Sequence, residues 1–284
     1  MPLNINTNAA ASAASYHLSK NNASLQKSLT RLSSGSRITQ PADDAGGLAV
    51  SMKLSGTINR LSGVEKNIDN AISFLQVQDG ILESGGKILD RMAELKALSQ
   101  DVLKNSSDIA NYNAEFKNLQ VQLFQMSESK FNGVSLFAST NATGNVTFNT
   151  SGSGNTVSIF TSATGESGSI VSINKSAMLA ALTITSATPS TANTFQNANG
   201  TAIYSFASST TESAFELGDV SVAVFTQALQ NVATLRAENG GSVSRLQFSK
   251  ESAAAQRTNL EAANGRIMDV DLSLIHISEP TRPY

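Results

Sequence analysis

Leu61, Ile68, Leu75, Leu82 and Leu89 recur every seven residues without a miss. Such a repeat puts its apolar side chains on one stripe of an α-helix and asks for a second helix to cover it. Ile58, Ile72, Met92 and Leu95 fill the alternate seam. The pattern predicts a helix from Asp44 to about Leu103, roughly 90 Å long at about 1.5 Å per residue. Pro41 suits a helix entry, and Asp43 or Asp44 can cap the free amides of the first turn. Gly80 and the pair Gly85-Gly86 are places where the rod can bend.

Shorter stripes flank this one. Leu18, Leu25, Leu29 and Leu32 share a helical face behind the helix-favouring Ala9, Ala10, Ala13 and Ala14, and that segment stops at Ser33-Ser34-Gly35. A third helix is predicted from Ile109, Tyr112, Phe116, Leu119, Leu123 and Met126, ending at "SKFNGVSLF", whose Asn-Gly reads as a turn. Residues 138–213 differ in kind: Gly, Ser, Thr and Asn dominate, charges thin out, and "NVTFN", "NTVSIFT", "GSIVSIN", "ALTITS" and "AIYSFAS" alternate like short strands. The segment "TPSTANTFQNANG" reads as loop. Helix is expected again near Asp219, where Phe225, Val232, Leu246, Ala253, Leu260 and Ile267 share a seven-residue lattice broken at Asn239.

The expected fold is therefore mainly α: a long antiparallel helical rod, coiled-coil-like, with a small β-rich inserted domain. Its parts are an N-terminal helix (1–33), a first part of the rod (34–137), a β-rich insert (138–213) and a returning part (214–271). The seam residues are Leu18, Leu25, Leu32, Leu61, Ile68, Leu75, Leu82, Leu89, Leu246, Leu260 and Ile267. Gly35, Arg37, Asp43 and Asp44 form the connector and helix cap.

Composition removes several function classes. A net charge of −2 without basic runs argues against binding nucleic acid by phosphate neutralisation. The absence of cysteine excludes a disulfide frame, a thiolate metal site and a Cys nucleophile. The N-terminus lacks the basic and apolar regions of a secretory signal, and no apolar run approaches the roughly 20 residues of a membrane span. The two histidines, His17 and His276, are far apart in the chain, and His17 falls on the polar face of its helix. No H-E-x-x-H, Walker loop or G-x-S-x-G occurs. Catalytic, metal and cofactor residues are accordingly assigned to none, and the Asp43-Asp44 pair is read as a cap with a solvated charge. No enzyme activity is expected.

The stretch "LQKSLTRLSSGSRITQPADDAGGLAVS" resembles the N-terminal signature of bacterial flagellin, L-S-S-G-x-R-I-x-x-x-x-D-D-A-A-G-L-A. The likeness continues through "AISFLQVQDGILESGGKILDRMAELKALSQD" and "FNGVSLF", and resumes in "LQNVATLRAENGGSVSRLQFSKESAAAQRTNLEAANGRIMDVD". It covers roughly residues 3–137 and 219–271. The resemblance implies a structural subunit that self-assembles into the extracellular flagellar filament for motility. Its terminal segments would form an inner coiled coil, the next helices an outer layer, and residues 33–43 the connector between them. Implied partners are copies of itself, the flagellar type III export apparatus and its chaperone, and hook-associated proteins. The alternatives are a flagellin-like hook–filament junction protein and an adhesive or glycan-binding insert. The Ser/Thr-rich insert is also a candidate for O-linked sugars.

The resemblance further implies a candidate patch for the animal Toll-like flagellin receptor, whose pattern Q-R-x-x-x-L maps to Asp90, Arg91 and Leu95, with Glu115 as the facing glutamate. Asp90 departs from the expected Gln. Residues 272–284 depart altogether: "LSLIHISEPTR" is the translation of a transposase sequencing adaptor, so a final helix is expected to be missing and the stripe of residues 5–32 to lack its partner. A chain of this form is expected not to polymerise.

Overall fold

A computed structural model of the chain describes residues 9–138, 155–185 and 203–271. The expectations for "NVTFN", for the loop "TPSTANTFQNANG" and for residues 272–284 lie outside them. The fold is mainly α. Long helices α1 (Ala9–Ser34), α2 (Ala45–Ser99), α3 (Ser106–Ser127) and α5 (Val222–Met268) carry it. Between α3 and α5 lie the strands β1 (Lys130–Phe131), β2 (Val134–Ser135), β3 (Thr156–Phe160), β4 (Ile170–Asn174), β5 (Thr183–Thr185) and β6 (Ile203–Ser205). A short helix α4 (Met178–Ala181) precedes β5. The strands pair antiparallel as β1–β2, β3–β4 and β5–β6.

Packing divides the chain into two compact units, one of residues 1–62 and 254–284, the other of residues 63–253. In the larger unit α2 and α5 run antiparallel: Lys250 pairs with Asp69, Asn239 reaches the Leu75 carbonyl, and Arg236 pairs with Asp79. Rising positions on α2 thus meet falling positions on α5. The seven-residue lattice is the buried seam, with Ile68, Leu75, Leu82, Leu89 and Leu246 at most 1% exposed. Each such side chain taken from water contributes about 1.5–3 kcal/mol. At one end, phenylalanines close the core: Phe116 and Phe206 meet Phe215 edge-to-face at 5.5 and 5.3 Å, and Phe206 lies tilted against Phe225 at 4.9 Å.

Buried polar side chains hook the loops onto this seam. Gln78 donates to the Leu136 carbonyl (2.6 Å), Gln120 to that of Phe215 (2.9 Å) and Asn231 to that of Ala181 (3.1 Å). Lys96 donates to the Leu217 carbonyl (2.8 Å), while the Asn113 side chain accepts from the Leu217 amide (2.9 Å). A backbone group without a ladder partner must find another one when buried. These amides supply it.

Local chemistry sets the boundaries. Asn105 opens α3 with a reciprocal capping box to Asp108. Asn132 and Gly133, with φ of 47° and 81°, form the left-handed turn that a two-residue hairpin requires between β1 and β2. α2 ends at Ser99, short of the expected Leu103, because the chain tightens into turns from Gln100 to Ala97 and from Lys104 to Asp101. Val102 and Leu103 extend into solvent, 95% and 90% exposed. Nothing is buried along them to reward another helical turn.

The seam is not uniform. Leu61 is 1% exposed, but Leu18, Leu25 and Leu32 are 71%, 60% and 53% exposed, and no residue of α1 is buried. Leu260 and Ile267 are half-buried. The stripe on α1 is therefore an uncovered face. Leu82→Ala should cost about 2–5 kcal/mol of stability in urea unfolding, whereas Leu25→Ala should stay within about 0.5 kcal/mol.

The candidate functional site: a charged connector and an uncovered helix face

Residues 35–44 join α1 to α2, and their chemistry is that of helix ends. Gly35, immediately after the last residue of α1, has φ +69°. That left-handed conformation is the usual way to stop a helix, and glycine adopts it without strain. Asp44 caps α2: its Oδ1 accepts from the Gly47 amide (2.8 Å) and its carbonyl from the Leu48 amide (3.0 Å). A carboxylate there also meets the positive end of the helix dipole. Gly47 is needed beside it, since a Cβ at this position would run into the Asp44 carboxylate and come within 3.0 Å of Ile38 Cδ1.

Of the two aspartates offered as caps, only Asp44 is one. Asp43 accepts from the Thr39 amide (3.3 Å) and hydroxyl (3.1 Å), and forms ion pairs with Lys27 (2.6 Å) and Arg31 (3.6 Å) of α1. Its side chain is only 8% exposed. Sequence reasoning missed this role because Lys27 and Arg31, one turn apart on α1, meet Asp43 only once the chain has reversed at Gly35.

Arg37 closes the other side. Its Nε and Nη2 donate to the Ile267 carbonyl (3.0 and 2.8 Å), its amide donates to Met268, and Nη2 lies 3.4 Å from Asp44. A guanidinium on the last free carbonyls of α5 offsets the negative end of that helix. Arg37 thereby sits between the C-terminus of α5 and the N-terminus of α2. Backbone bonds reinforce it, from Val270 to the Gly35 carbonyl (3.0 Å) and through the Ser36–Asp269 bridge. Further along, Ser51 donates to Asn264 (2.7 Å).

The receptor-patch residues separate. Arg91 and Glu115 form a two-pronged ion pair (2.8 and 3.2 Å) between α2 and α3, and Arg91 also binds Glu94 (2.8 Å). The Glu115 and Glu94 carboxylates hold the Arg91 guanidinium above its ordinary range. Leu95, placed on the alternate seam by its spacing and grouped with the patch by the resemblance, is fully buried. On α2, Lys87 and then Arg236 keep the Glu83 carboxyl below its usual value.

Among the described residues no group of three or more His, Cys, Asp or Glu is placed to hold a metal ion, and no helix is long and apolar enough to cross a membrane. The chemistry of the connector is capping and charge pairing.

Asp43 has a pH signature. The Lys27 ammonium, followed by the bonds from Thr39, holds its carboxyl far below the ordinary 3.8. A depressed carboxylate stabilises the fold at every pH above its ordinary value, and that contribution is lost only as pH falls through the lower, folded value. In a carboxyl-detected NMR titration, Asp43 should remain ionised at about pH 3, where an ordinary aspartate is mostly protonated.

Comparison with known proteins accords with this arrangement. Residues 5–142 match the bacterial flagellin N-terminal helical region. Flagellin of Bacillus subtilis (strain 168) is 31% identical over 275 residues, covering 95% of this chain and 88% of that protein. The flagellar filament 30.7 kDa core protein of Treponema maltophilum is 28% identical over 270 residues, covering 95% and 87%. A crystal structure of Bacillus cereus flagellin aligns with 70% of this chain at 19% identity and a TM-score of 0.46. With a likeness that runs through both helical ends and the middle, this chain belongs to the bacterial flagellin family.

Proposed function

We infer that this chain is a structural subunit that assembles with copies of itself into the filament of the bacterial flagellum, outside the cell. The observation that carries the reading is the division of apolar surface. The α2–α5 seam is covered within the chain, while Leu18, Leu25, Leu29 and Leu32 line one face of α1 and remain more than half exposed. A large exposed apolar stripe marks a surface that a further helix must cover. The relatives named for the flagellar filament supply the kind of association. The role is mechanical rather than catalytic: Asp43 and Asp44 are committed to ion pairs and a cap, which leaves no free carboxylate pair at the connector. Partners beyond copies of the chain are, on the same reading, the flagellar export apparatus with its chaperone and the hook-associated proteins.

Assembly tests this directly. With the final helix expected from the resemblance supplied in place of residues 272–284, chains added to filament seeds should extend them into tubes visible by electron microscopy. Replacing Leu18, Leu25 and Leu32 together by Ser should abolish extension and leave the urea midpoint unchanged, since none of the three is buried in the free chain. Unimpaired extension by that variant would overturn the reading.

A second reading concerns the surface pair Arg91 and Glu115. Their two-pronged contact supports a rigid charged patch of the sort a Toll-like flagellin receptor reads, with Glu94 in place and Leu95 acting from beneath as core. In a reporter-cell assay, Arg91→Ala should lower receptor signalling at least about tenfold, the size of losing one charge-assisted pair of about 1.4 kcal/mol. An unchanged signal, or none from the parent chain, would remove receptor recognition from this patch.

A further inference from the structure

No side chain of α1 is buried, so packing does not fix the direction in which this helix leaves the connector. Its C-terminal turns are tied down by charge instead. Lys27 Nζ lies 2.6 Å from Asp43 Oδ1, and Arg31 Nη2 lies 3.6 Å from Oδ2. Asp43 is itself fixed: its side chain is 8% exposed, and Oδ2 accepts from both the amide and the hydroxyl of Thr39. A cation on α1 that moved away would leave this carboxylate half-sunk and underpaired. Lys27 and Arg31 stand one helical turn apart, so they grip the carboxylate from a single face and resist rotation of the helix as well as its departure.

The surroundings contain a charge pattern that isolates this contact. Residues 9–34 include no Asp or Glu, so Lys27 and Arg31 have no acidic neighbour on their own helix. Asp44, the adjacent acid, is turned to Arg37 and the Gly47 amide. Arg37, the nearest cation of the connector, is occupied by Asp44 and the Ile267 carbonyl of α5.

We propose that Asp43 is an electrostatic latch that sets the direction of the C-terminal half of α1 relative to the start of α2, so that the exposed leucine stripe is presented at one angle until the latch is opened. Removing the charge on either side frees α1 to swing about Gly35, while the capped start of α2 and its contact with α5 stay intact. Strong salt acts in the same direction, because Lys27 is half exposed and open to screening.

The chain has no cysteine, so a pair of spin labels can be introduced without background. Labels at the exposed positions Ser28→Cys on α1 and Lys53→Cys on α2 report the angle by pulsed electron–electron resonance on the full chain. The expected result is a single narrow distance distribution at low salt that broadens at least twofold in Asp43→Asn. The pair Lys27→Gln with Arg31→Gln, which leaves the Thr39 bonds to Asp43 in place, should broaden it to the same extent. Far-UV circular dichroism should show the same helix content in all of them. A distribution already broad in the parent chain, or one left narrow by Asp43→Asn or by the Lys27→Gln, Arg31→Gln pair, would overturn the latch.

Discussion

The antiparallel apolar seam between α2 and α5 is the constraint on which the remaining structure depends. Ile68, Leu75, Leu82, Leu89 and Leu246 cannot be withdrawn from water unless the two helices lie side by side, and a helix of this length is not held by intrinsic propensity. Once the seam forms, the other elements have something to attach to. α3 adds Phe116 and Leu123, the short hairpin adds Phe131 against Phe74, and the returning segment adds Phe206 and Phe215. The small β pairs are passengers on a helical frame, fixed to it by amide hooks such as Gln78 and Asn231.

Helix ends are the second organising element. Breaking one rod and starting another at residues 35–44 frees backbone donors and acceptors, and the connector satisfies them with a small set of side chains. Gly35 ends α1, Asp44 begins α2, and Arg37 closes α5 against both. Asp43 does something else, holding the basic side of α1. Two adjacent residues of the same type therefore serve different helices, one through its backbone partners and the other through two cations. Apolar surface is divided in a similar way, covered along α2 and α5 and left open along α1.

Much of this was legible in the sequence, for physical reasons. The seven-residue repeat identified α2 because a stripe of large apolar residues has one solution, and Asn132-Gly133 identified a turn because few residues accept positive φ, although not the hairpin it closes. The break in the returning lattice at Asn239 also proved meaningful, since that amide reaches the Leu75 carbonyl across the seam. Other features were invisible. Gln78 and Gln120 occupy buried positions among Ala71, Leu82, Phe116 and Leu123, but nothing in a linear pattern says which distant carbonyl each will meet. Leu95, by contrast, was legible as core: its spacing put it on the alternate seam, and only the family pattern Q-R-x-x-x-L grouped it with Arg91.

The central claim is that one apolar face is spent on folding and another is reserved for association. Hydrogen exchange read by mass spectrometry, on the free chain and on seeded filaments, tests it most directly. The account predicts slow exchange across the buried stretches of α2 and α5 in both states. Residues 9–26, beyond the charged contact at the end of α1, should exchange quickly in the free chain and become protected in the filament. Strong protection of residues 9–26 in the free chain, or continued fast exchange there after assembly, would contradict it.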